Sequence, residues 1–300
     1  MIRDELFEGG SKAMRTMSRR EVLSAVFQDT QEFYTSSPEL QAAIKATMSC
    51  TVVYEENDYP PLPEKRLNSC EITVTKNKSF EAAMLHRKAY PNAHITVLNF
   101  ASAVNPGGGV KNGSSAQEES LCRCSTLYPA LDRRSLWDRY YSVNRQLNTP
   151  LHSDACIWTP GIVICKTDTY IPDRIEPKDW VVVDIISCAA PNLRTVTGNM
   201  YNPERSKSIH LSADEQYNLH LKRAKHILHV AAAHMTDKLI LGAFGCGAFE
   251  NDPAAVARAY HDVLPDYVQY FSSVEFAVYC REHETENYDA FRKIIGEQKV

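Results

Sequence analysis

Three stretches of this chain, residues 161–165, 180–186 and 238–242, carry apolar side chains at successive positions. A strand with one wet face alternates apolar and polar residues, whereas a strand covered on both faces does not. Between such runs the apolar spacing switches to the helical period. Helices are expected at residues 18–34, from Ser37 into residues 40–47, and at 79–89, 116–127, 134–146, 212–233, 254–264 and 287–295. Ser18 with Glu21, and Ser212 with Glu215, read as capping boxes, and Ser79 as a cap. Residues 71–75, which alternate, 95–100 and 274–279 complete the expected strands, and the proline-rich residues 55–67 read as a loop. Strands alternating with helices specify an α/β fold, a sheet flanked by helices on both faces. No linker divides the chain. Residues 1–70 are expected as an N-terminal helical extension packed on a catalytic core of residues 71–300, the two forming one structural unit.

The composition narrows the function classes. With 44% hydrophobic residues among 300, the chain can bury a sizeable core. A net charge of -4 argues against direct nucleic-acid binding, which needs a basic surface. The nine cysteines include no CxxC pair and no Cys/His set at zinc spacing, so most read as buried thiols. His226 and His229 lie three apart without a recognisable third ligand. No metal and no cofactor are expected. The first residues lack an apolar signal core, and no run approaches the roughly 20 apolar residues of a membrane span. The expectation is a cytoplasmic or nuclear, non-secreted protein without membrane contact.

Two glycine-rich loops follow expected strands, where ligands bind in open α/β sheets. One is Asn105-Pro-Gly-Gly-Gly-Val-Lys-Asn-Gly113, the other Gly242-Ala-Phe-Gly-Cys-Gly-Ala-Phe249. Glycine lets a ligand approach bare N–H groups, and a helix N-terminus beyond adds partial positive charge. Both features suit a diphosphate. Neither loop is a Walker A or dinucleotide fingerprint.

Gln117-Glu118-Glu119 follows the first loop at a helix start. Such acidic residues can merely favour the helix dipole. Neighbouring helical side chains point about 100° apart, so the two carboxylates cannot serve one atom. Glycosidic cleavage needs a proton donor, which a glutamate shielded from water can become. The other could hold a sugar through its hydroxyls.

The segment from Asn99 to Ser120 joins these parts: a triple glycine, seven residues (Val110 to Ala116), then Gln-Glu-Glu. It resembles the signature of poly(ADP-ribose) glycohydrolases of the short microbial type. The loop at residues 241–253 is similar to that family's diphosphate loop, and Ser187-Cys-Ala-Ala-Pro-Asn192 to a family strand end. The resemblance spans about residues 20–295 and implies a macrodomain-like mixed sheet with an N-terminal helical extension. It implies Glu119 as the acid that protonates the leaving 2′-oxygen and then activates water, and Glu118 as the residue positioning the scissile ribose. It further implies ligand contacts from Asn99, Gly107, Gly108, Gly109 and Gln117. Gly245, Cys246, Gly247 and Ala248 would surround the diphosphate, with Phe249 over the terminal ribose. Phe244 and Ala248 depart from the tryptophan and valine expected in relatives. Poly(ADP-ribose), ADP-ribose and poly(ADP-ribosyl)ated proteins are the implied partners of a monomeric enzyme. Two alternatives stay open: a macrodomain that binds ADP-ribose without cleaving it, and a mono-ADP-ribosyl hydrolase.

Overall fold

A computed structural model describes residues 17–64, 67, 69–194, 209–296 and 298–299. Most of the segment read for a signal core therefore lies outside the described residues. The chain opens with α1 (Arg19–Ser36) and α2 (Pro38–Cys50). Ser18 and Glu21 form the expected capping box, and Ser37 caps α2 ahead of its N-terminal proline. Then come β1 (Val52–Tyr54), β2 (Glu71–Thr75), α3 (Ser79–Ala89) and β3 (Ile95–Phe100). After a 3-10 turn at Val110–Asn112 the chain forms α4 (Gln117–Cys124) and α5 (Leu127–Leu131). Next, α6 (Arg134–Leu136) runs through a π-helical turn, Trp137–Tyr141, into α7 (Ser142–Leu147). The remaining elements are β4 (Cys156–Ile164), β5 (Val181–Cys188), α8 (Ala213–Ala233), β6 (Lys238–Leu241), α9 (Pro253–Val263), β7 (Ser273–Ala277), α10 (Glu286–Ile294) and β8 (Gln298–Lys299).

The sheet is mixed, in the order β1-β4-β5-β3-β6-β7-β2-β8. Its inner strands β5, β3, β6, β7 and β2 are parallel, while β1, β4 and β8 join antiparallel. Each face has its own core. Leu98, Ile186, Leu239 and Phe276 pack with Ile227, Val256 and Phe291 of α8, α9 and α10. Val97, Ile185 and Ile240 pack on the other face with Phe27, Phe80, Leu121 and Leu127 of α1, α3, α4 and α5. Covering both faces is what the unbroken apolar runs require.

Three local departures have physical causes. Lys78, not Ser79, is the N-cap of α3, and the Ser79 hydroxyl instead accepts from Gln117 Nε2 at 3.0 Å. Strand β4 begins at Cys156, five residues earlier than expected, because Pro160 and Gly161 sit in a bulge between Thr159 and Ile162 and do not end the strand. Strand β1 lies within residues 1–70 yet pairs with β4 in the sheet, and α1 contributes Phe27 to a sheet core. Through Phe27 and Val52–Tyr54 this segment is thus woven into the core and not only laid against it.

Candidate active site

Because β3, β5 and β6 are neighbours and parallel, the loops leaving their carboxyl ends converge. After Phe100 the chain turns inward, and the Ser102 hydroxyl accepts the amides of Val104 and Asn105 at 3.3 and 3.1 Å. The triple glycine then folds back over the start of α4. Gly108 has φ +56°, and a Cβ there would stand 2.6 Å from Glu119 Oε1 and 3.2 Å from Glu118 Oε2. Only glycine lets the backbone pass this close to both carboxylates.

The two glutamates are held differently. Glu118 is 3% exposed and anchored at both oxygens. Its Oε2 accepts the Ser102 amide at 2.7 Å, and Asn99 Nδ2 donates to Oε1 at 3.4 Å while also reaching Ser187 Oγ at 2.9 Å. Glu119, 8% exposed, accepts the Gly109 amide on Oε1 at 2.9 Å. Among the described residues no donor meets its Oε2. Burial, and then the Glu119 charge, push the Glu118 carboxyl up to about 8 against the pull of its hydrogen bonds. The carboxyl that burial pushes up is that of Glu118, to which the resemblance assigns the positioning of the ribose.

The Gln117 side chain is tied down at both ends of its amide. Its Oε1 accepts the Phe100 amide at 2.9 Å, and its Nε2 donates to Leu98 O at 2.8 Å and to Ser79 Oγ. Both ends of the amide are committed to tying α4 onto the end of β3. The first loop also differs from a cradle of bare N–H groups. Gly108 N–H bonds Asn105 O, Gly109 N–H bonds Glu119, and Val110 N–H bonds Gly107 O. This loop instead packs against the two carboxylates that α4 presents.

The second loop retains the open amides. Among the described residues no acceptor meets the N–H of Gly247, Ala248 or Phe249. Asn251, 3% exposed, staples the loop by donating to Gly245 O at 2.9 Å and Pro191 O at 2.8 Å, while His220 Nε2 donates to its Oδ1 at 2.9 Å. Cys246 and Phe249 are half-buried, Gly247 and Ala248 exposed. The Phe249 ring lies 6.1 Å from the His152 ring, and the Arg194 guanidinium 5.7 Å above it. Phe244 is not a pocket residue; it is buried edge-on against Phe100 and His220 beneath the loop. The Asp252 carboxylate caps α9, so the helix end is already partly neutralised and the free amides are the better anion donors.

Sequence reasoning missed Ser102, Asn251 and Arg194. Only Ser102 had a local signal, a serine ahead of a turn. Among the described residues no group of three or more His, Cys, Asp or Glu is placed to hold a metal ion. His226 and His229 instead bond the Asp58 and Pro60 carbonyls, tying down the proline-rich loop. No described helix is long and apolar enough to cross a membrane.

The fold and site define a doubly covered α/β protein with a paired-carboxylate cleft beside an anion-ready loop. Comparison with known proteins gives the family. The microbial-type PARG catalytic domain matches residues 20–167. The chain is similar to the crystal structure of poly(ADP-ribose) glycohydrolase from Thermomonospora curvata, with 27% identity, a TM-score of 0.77, and coverage of 91% of this chain and 99% of that one. The same enzyme bound to the inhibitor ADP-HPD gives a TM-score of 0.74 at 27% identity and the same coverage. Poly(ADP-ribose) glycohydrolase from Deinococcus radiodurans in complex with ADP-ribose is 31% identical, with a TM-score of 0.68, covering 84% of this chain and 96% of that one. No curated protein matches. The chain belongs to the microbial-type poly(ADP-ribose) glycohydrolase family, on a macrodomain-like fold.

Proposed function

We propose that this protein is a poly(ADP-ribose) glycohydrolase, a glycosidase that hydrolyses the ribose–ribose bonds of poly(ADP-ribose) and releases ADP-ribose. One observation carries the division of labour. Glu118 is fixed at both oxygens, whereas Glu119 is fixed at one and keeps the other for a proton. Glu119 protonates the leaving 2′-oxygen as the glycosidic bond breaks and an oxocarbenium-like centre develops. Its carboxylate then takes a proton from water as the water oxygen bonds to that carbon, which restores the acid. Glu118, aligned by Ser102 and Asn99, orients the ribose. The open amides of the second loop hold the diphosphate, and Phe249 flanks the terminal ribose.

The same reading makes poly(ADP-ribosyl)ated proteins the partners of a monomer that needs no direct nucleic-acid contact. All nine cysteines are free thiols and six are buried, which supports a reducing compartment, cytoplasm or nucleus. The test is incubation with poly(ADP-ribose) and, separately, with a mono-ADP-ribosylated protein, following free ADP-ribose. Release from the polymer is expected; its absence would refute the reading, and release from the mono-modified protein alone would favour a mono-ADP-ribosyl hydrolase.

A further inference from the structure

Glu119 is only as well placed as the amide that holds it, and that amide belongs to a loop bracketed onto α5 from both ends. At one end the Tyr128 ring lies under Gly107, so close that a Cβ there would stand 2.7 Å from Cδ2. At the other, Lys111 Nζ stands 3.7 Å from Asp132 Oδ2 and 5.1 Å from the centre of the Tyr128 ring. The bracket is closed internally. The Tyr128 hydroxyl donates to Asp132 Oδ2, and Trp137 Nε1 donates to Asp132 Oδ1 at 3.0 Å. A ring under the loop's first glycine and a charge pair on its Lys111 thus share one carboxylate.

Helix α1 presses on the same assembly. Phe27 meets the Tyr128 ring edge-on at 5.0 Å between centroids. The Ser24 hydroxyl donates to Lys111 O at 2.8 Å. Gly113, which ends the 3-10 turn, lies so close to the Arg20 backbone carbonyl that no side chain fits between them. Thr30 Oγ1 donates to Arg123 O at 2.7 Å, and the Arg123 guanidinium in turn donates to Ser114 O at 2.6 Å. The first helix therefore grips both the loop that supplies the Gly109 amide and the helix that carries Glu119.

We propose that Tyr128, Asp132 and Lys111 are positioning residues, which fix the triple-glycine loop on α5 so that Gly109 N–H meets Glu119 Oε1, with α1 holding the bracket shut. The consequence for turnover rests on the reading of Glu119 as the acid. The bracket itself does not.

Tyr128→Phe keeps the ring beneath Gly107 and removes one bond. Its kcat for ADP-ribose release is expected to fall roughly 10- to 100-fold, the effect of a small misplacement of a reacting group. ADP-ribose affinity, which the second loop carries, should stay unchanged, and the Gly109 amide should exchange with deuterium faster than in the wild type. Lys111→Gln, at an exposed side chain, should show the same split in weaker form. Arg134→Ala, which breaks only the exposed pair with Asp138, should leave kcat as it is. Wild-type kcat in folded Tyr128→Phe overturns the proposal, as does a lost kcat with unaltered Gly109 exchange. Should Tyr128→Phe not fold, wild-type kcat in Lys111→Gln overturns it. If the wild type released nothing from the polymer, the functional reading would fail, while Gly109 exchange would still decide the bracket.

Discussion

Glu118 is buried beside a second carboxylate, and its charged form is the costly one. Its carboxyl sits at about 8 in the folded chain against an ordinary 4.5. Through that pH window the native state holds a proton that the unfolded chain has lost, so stability falls as pH rises from 4.5 to about 8 and changes no further above it. Glu118→Gln removes this penalty, worth roughly 3–5 kcal/mol at pH 8 before local relaxation is allowed for. The variant can also turn its new amide towards Asn99 Oδ1, which has no partner among the described residues. Thermal melts across pH should show Glu118→Gln near the wild type at pH 4.5 and clearly more stable at pH 8, while inactive on the polymer; a constant offset would mean that Glu118 keeps its charge. Gly108→Ala puts a methyl against both carboxylates at a φ of +56° and should abolish turnover with the fold retained, judged by circular dichroism beside the activity assay. The motif spacing made both glutamates legible in the sequence. Which of them would be fixed at both oxygens was not, because that depends on Ser102 and Asn99 at the end of β3 and on Ser187 of β5, which holds Asn99.

At the scale of elements, α4 shows how a helix start becomes a site. Ala116 provides no side-chain cap, and the first turn carries both glutamates, so the acidic residues favour the helix dipole and serve the cleft together. Gln117 locks this helix onto β3 with two hydrogen bonds and onto Ser79 of α3 with a third. Gln117→Ala should destabilise the fold by about 1–3 kcal/mol and lower kcat through loss of alignment, measured by denaturant titration and by turnover. Unchanged stability would show the clamp to be idle. The long elements announced themselves through period and caps, as with Ser18/Glu21 and Ser212/Glu215. The three-residue β1 carries too short a pattern to read, and Pro160 disguised the first half of β4 by mimicking a strand end. The direction of the Gln117 side chain was not legible, because its place in a motif says nothing about which partners its amide meets.

Across the whole molecule, helices on both faces leave the cleft at the carboxyl edge of a fully covered sheet, and the N-terminal segment is part of that cover. Phe27, 1% exposed, packs among residues from α3, α4 and α5, and β1 extends the sheet. Phe27→Ala should therefore cost about 3–5 kcal/mol, as for a core aromatic, and unfolding should remain one transition for the whole chain. A separate early transition for the first helices would instead mark an independent extension. The catalytic division between the carboxylates is the claim on which the rest depends, and it is tested by measuring turnover and ligand affinity together in Glu119→Gln. Turnover of poly(ADP-ribose) should be abolished while ADP-ribose still binds close to wild-type affinity. Turnover near the wild-type rate in this variant would contradict the account, because the proton would then come from elsewhere.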